Sequence, residues 1–135
     1  MGPMGRILIA LCLIGMTACA ESPTTPSPLN QEVIMAPGQT VGISDVGLSI
    51  RFEGVLSDSR CPANVYCVWA GDAHVRIEVR PFAGSNYTYD LHTVDNSSPV
   101  KHEDVTIELT QLLPYPLTAD PIDPSAYRAT LKVTR

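Results

Sequence analysis

Cys61 and Cys67 enclose a five-residue spacer, and two thiols at that separation have two main uses. They can oxidise to a disulfide, or they can supply half of a zinc site, which needs four ligands. The three histidines, His74, His92 and His102, stand at no motif spacing from this pair. Nor does any Ser, Cys or carboxylate stand with them in a recognisable catalytic pattern, so the reading names no catalytic residue, no metal ligand and no cofactor. Asp120 and Asp123 lack the dense oxygen-ligand loop that calcium requires. The densest cluster of unusual side chains is residues 58–71, DSRCPANVYCVWAG, which holds both cysteines, the only Trp, Arg60 and Tyr66. Trp, Tyr and Arg are the side chains that concentrate binding energy at interfaces. Arg60, Tyr66 and Trp69 are therefore the candidate partner-binding residues.

These residues must be held by strands, because the apolar period downstream is two. Leu48, Ile50 and Phe52 alternate with polar residues, as do Ala73, Val75, Ile77 and Val79. The same alternation covers residues 87–91, 105–109 and 127–133. Each run predicts a strand that is dry on one face and wet on the other. His74 and His92 fall on wet faces. Residues 33–35 and 40–43, parted by the Pro37-Gly38 turn signal, add two weaker strands. No window has a helical period with caps. The prediction is an all-β fold, an antiparallel sandwich or barrel of about seven strands with one short loop closed by the cysteines. Residues 83–86 should form a hairpin turn and residues 95–99 a polar turn. The proline-rich stretch 114–125 should drape over one end of the sandwich.

Residues 6–19, RILIALCLIGMTAC, resemble a bacterial lipoprotein signal peptide: one Arg, an apolar run, small residues, then Cys19. The run is about ten residues, against the roughly twenty of a spanning helix. The resemblance implies a signal peptide over 1–18 and lipidation of Cys19, with the membrane as a partner through that lipid. It further implies a cell-envelope location, which becomes the outer membrane in a Gram-negative host because Ala20 is not Asp. Residues 19–31, small, polar and proline-rich, read as a tether, and residues 32–135 as the β-domain. In such an oxidising compartment Cys61 and Cys67 are expected to pair as a disulfide rather than bind metal. Closing so short a loop is worth on the order of 2 kcal/mol. The pattern DSRCP…CxWAG is also similar to small secreted β-domains and lipoproteins of bacteria, a group that carries no established activity to transfer.

Without residues 1–18 the chain has 8 basic and 14 acidic residues, a net charge of −6. Nucleic acid and anionic lipid surfaces reward clustered Lys and Arg, so neither is expected as a partner. Two readings of residues 58–71 stay open. In the first, Asp58 makes an Asx turn, Arg60 pairs with Asp58 or Asp72, and Trp69 plugs the end of the core, largely buried. In the second, the staple pre-organises an exposed recognition loop for an envelope protein or glycan. The resulting expectation is a lipid-anchored, non-catalytic binding or accessory module. A secreted protease or lysozyme inhibitor and a small metal-dependent hydrolase are the alternatives.

Overall fold

The computed structural model describes residues 26–94 and 99–135. The expected signal peptide, Cys19 and residues 95–98 of the expected polar turn lie outside the described residues. Among the described residues there are eight strands: β1 (Glu32–Met35), β2 (Thr40–Ile43), β3 (Leu48–Asp58), β4 (Ala73–Pro81), β5 (Tyr87–His92), β6 (Val100–His102), β7 (Val105–Leu113) and β8 (Arg128–Thr134). They form two four-stranded antiparallel sheets, ordered β1-β8-β7-β6 and β2-β3-β4-β5. The architecture is thus all-β and sandwich-like, and its inner faces supply the core.

That core follows the alternation of the sequence. Ile50, Phe52, Ala73, Val75, Ile77, Val79 and Leu91 of one sheet are buried with Val105, Ile107, Ala129, Leu131 and Val133 of the other. On the outer face of the β2-β3-β4-β5 sheet the charged residues pair across and along strands. Arg76 donates to both carboxylate oxygens of Asp90 at 2.8 and 2.9 Å, Arg80 donates to Glu78, and Arg51 lies opposite Glu78 in register. Exposed pairs of this kind contribute little to stability. Their role is to keep that face wet.

Three register shifts break the period of two. In β3 the register shifts between Phe52 and Gly54 and again between Val55 and Ser57, which extends the strand to Asp58. In β7 it shifts between Leu109 and Gln111, so the next buried residue is Leu112. Each extra residue bends its strand and sets where that strand ends. The turn at residues 36–39 carries the chain from one sheet to the other. There Gly38, at φ +82°, donates its N–H to Phe52 O at 2.7 Å.

Three features depart from the sequence reading. The short strand β6 is additional, joined to β7 by a two-residue Glu103-Asp104 turn with Glu103 at φ 54°. Tyr127 precedes β8 rather than starting it. The last residues assigned to the tether lie on the domain: Ser27 N–H bonds Gly42 O and Asn30 N–H bonds Val133 O, at 2.9 and 2.8 Å. Leu29, the one large apolar residue of that stretch, packs against the core. Truncating Phe52, which has no exposed surface, to Ala should cost about 3–5 kcal/mol in denaturant unfolding. The exposed neighbour Glu53→Ala should change stability by less than about 0.5 kcal/mol.

Candidate functional site

The segment between β3 and β4 is built around Asp58, the last residue of β3. Its Oδ1 accepts the Arg60 N–H at 3.1 Å, the Asx turn that the sequence predicts. The turn sends the Arg60 side chain back onto the same carboxylate, with Nε to Oδ1 at 2.9 Å and Nη2 to Oδ2 at 2.6 Å. The guanidinium then reaches across to the other sheet. Nη1 donates to Leu112 O at 2.8 Å, and Nη2 donates to Pro114 O at 2.9 Å. Tyr127 completes the cluster by donating its hydroxyl to Asp58 Oδ2 at 2.9 Å. The Tyr115 ring lies against the guanidinium, 5.3 Å from centroid to carbon.

Electrostatics follow from this geometry. Burial pushes the Asp58 carboxyl up, but the hydrogen bonds from Arg60 and Tyr127 outweigh it and hold the group below its ordinary value. Burial and the bond to Asp58 push the Tyr127 hydroxyl up to about 12.

The loop is pinned at three further levels. Ser59 N–H donates to Asp72 O at 2.7 Å and Cys61 N–H to Ala70 O at 2.8 Å, so the two limbs run side by side. They approach so closely that a Cβ on Gly71, at φ +71°, would stand 1.8 Å from Ser59 O. Only glycine fits there. Cys61 and Cys67 are joined as a disulfide, with Cα atoms 5.9 Å apart. The tip is tied to the proline-rich stretch through Ala63 N–H to Pro116 O at 3.0 Å and Asn64 N–H to Leu117 O at 3.2 Å. Tyr115 donates its hydroxyl to Cys61 O at 2.8 Å. That stretch is draped over the sandwich end, as expected, and a cleft of about 320 Å³ opens between it and the end of β3.

Each of the two readings of the loop loses one residue: Arg60 pairs with Asp58 as the first expects and the second does not, and Trp69 is exposed as the second expects and the first does not. Arg60 is only 8% exposed and sits inside the cluster, so it holds the loop and offers nothing to a partner. Trp69 was expected to plug the core but is 83% exposed. Beside the loop it is Arg60 and Tyr127 that are buried, with the half-exposed Tyr115 ring against the guanidinium. Tyr66 is where a recognition residue should be, 99% exposed. Val65, Val68 and, on the adjoining stretch, Leu117 are exposed as well.

A second cluster lies where the loop enters β4. The Asp72 Oδ1 atom accepts Thr93 N–H at 2.9 Å, Thr93 Oγ1–H at 3.0 Å and Val94 N–H at 2.9 Å. Its Oδ2 atom faces His92 Nδ1 at 2.6 Å and His74 Nε2 at 3.2 Å. Burial raises the Asp72 carboxyl, yet the bonds from His92, Val94 and Thr93 together hold it well below the usual carboxylate range. The two imidazole rings stand 4.2 Å apart, because His74 and His92 are register partners on neighbouring strands. Among the described residues this is the one group of three that could hold a metal ion. Sequence spacing does not show it, since His92 joins the other two only through strand register. His102 is buried elsewhere, 2.9 Å from the Tyr89 hydroxyl. Asp123 caps the Pro124–Ala126 turn and Asp120 bonds Thr118, so each serves local structure.

Compared with protein-family models, curated proteins and solved structures, the chain matches none.

The buried cluster has a pH signature. An unfolded tyrosine ionises near 10 and Tyr127 near 12, so stability should be intact below pH 10 and fall as pH rises through about 12. The Asp58 contribution is present above its ordinary value of 3.8 and is lost as pH falls through the lower folded value. Tyr127→Phe removes a bond to a charged group and should cost about 1.5–3 kcal/mol at neutral pH. It should also flatten the alkaline limb of a stability-against-pH curve measured by urea unfolding.

Proposed function

We propose that the chain is a lipid-anchored, non-catalytic binding module of the cell envelope that engages a protein partner through the loop at residues 58–71. The observation that carries this reading is the nearly complete exposure of Tyr66 and Trp69 on a loop closed by the Cys61–Cys67 disulfide. Large aromatic side chains left in water on a braced loop lose little conformational entropy on binding. They are also the types that dominate interface energetics. A partner of apolar protein surface fits best. Asp58, Ser59 and Arg60 of the loop are bonded inward, and what faces solvent is mostly apolar or aromatic, Val65, Tyr66, Val68 and Trp69, with Asn64 as the one amide. A glycan would need donors and acceptors beside its stacking ring. The anchor rests on the resemblance of residues 6–19 to lipoprotein signals, and the lack of a catalytic role on the lack of a catalytic motif.

Position-specific photo-crosslinking in the native envelope tests the reading. A benzophenone side chain at position 66 or 69 should give a discrete adduct, and the same group at the outward position 53 should not. The Tyr66→Ala/Trp69→Ala variant should keep the wild-type melting temperature and lose partner recovery. Equal adducts from positions 53, 66 and 69, or none from the loop, would overturn the assignment. An adduct that glycosidase removes would move the partner to the glycan class.

A further inference from the structure

We propose that Asp72, His74 and His92 form a binding site for a divalent transition-metal cation of the zinc type. The site lies on the outer face of the β4–β5 ladder, at the foot of the disulfide-closed loop. It is separate from the aromatic tip and independent of the proposed partner.

Geometry carries the argument. One ligand atom from each residue lies within 4.8 Å of the other two. Tetrahedral zinc with bonds of about 2.0–2.2 Å needs ligand atoms roughly 3.3 Å apart. The separations of 2.6 Å and 3.2 Å between Asp72 Oδ2 and the two imidazole nitrogens both fall below that value, the second only slightly, so the carboxylate and the His92 ring would move apart by a fraction of an ångström to admit the ion. Both rings project from paired residues of one antiparallel ladder, which fixes their backbones relative to each other.

The carboxylate is also prepared for the role. Three donors saturate Oδ1, and Ser59 clamps the Asp72 backbone from the other limb of the loop, accepting Asp72 N–H at its Oγ and donating to Asp72 O. Oδ2 is thereby aimed at the histidines. Outer-shell bonding of this kind orients metal-ligating carboxylates. Without an ion, two imidazoles compete for one oxygen, and a cation would satisfy all three groups at once.

The donor set selects the ion. Two imidazole nitrogens and one carboxylate oxygen suit zinc, copper(II) and nickel, whereas magnesium and calcium require oxygen-rich shells. Asp72, His74 and His92 are each partly exposed, so the fourth position opens to water. Three protein ligands with one open position is the arrangement of an accessible site and not of a closed structural one.

The test uses the chain purified with a histidine-free affinity tag, stripped of metal and titrated with zinc chloride by calorimetry. Cobalt(II) absorption serves as a second readout. One zinc per chain should bind, the melting temperature should rise with zinc concentration, and cobalt should give visible d–d bands. His74→Gln and His92→Gln should each weaken binding at least ten-fold, and the double variant should abolish it. Both histidines are surface residues, so circular dichroism should confirm an unchanged fold in each variant. Magnesium and calcium should produce no shift. Absence of zinc binding at millimolar concentration, or binding unchanged in the double variant, would overturn the site.

Discussion

The ion pair between Asp58 and Arg60 is the constraint on which the functional end of this molecule depends. Its side chains are nearly out of solvent, and each charge needs partners to stay there. The carboxylate finds Arg60 and Tyr127, and the guanidinium finds Leu112 O and Pro114 O. Those partners come from the ends of β3 and β7, the residue before β8 and the start of the proline-rich stretch. One charge pair therefore joins both sheets to the loop. The net stabilisation from such a pair can be small, but removing one member leaves an uncompensated buried charge and costs about 3–5 kcal/mol.

The closed loop stands beside the cluster of Arg60, Tyr115 and Tyr127, and its large apolar side chains face solvent. Exposed Tyr66 and Trp69 are the counterpart of the buried arginine. The limb that returns to β4 is held by Ser59 against Asp72 and allows only glycine at position 71. The same contact places Asp72 where the register of β4 and β5 brings the two histidines. The aromatic tip and the Asp72 cluster thus share one support.

Much of the fold was legible because burial on one face writes a period of two directly into the sequence. The five alternating runs all appear as strands, and the short cysteine spacing closes as a disulfide. What the alternation could not show were the bulges at 52–57 and 109–111, where inserted residues reset the phase, and β6, three residues long and joined to β7 by a Glu-Asp turn without glycine. The sheet switch at 36–39 was hidden as well, since pairing across space leaves no local signal. Site residues were harder still. Hydrophobicity assigns Trp69 to the core and Arg60 to water, and the structure inverts both: the guanidinium finds four partners that let it be buried, and the indole stays in solvent. The grouping of Asp72, His74 and His92 depends on strand register, which composition and spacing do not encode.

Native-state hydrogen exchange at Ala63 and Asn64 tests the central claim most directly. Their N–H groups bond Pro116 O and Leu117 O only while the loop is held against the proline-rich stretch. In the wild-type protein both amides should be strongly protected. In Arg60→Met they should approach free-peptide rates while amides of the β3–β4 ladder remain protected. Free-peptide exchange at Ala63 and Asn64 in the wild type, or unchanged protection in the variant, would contradict the account.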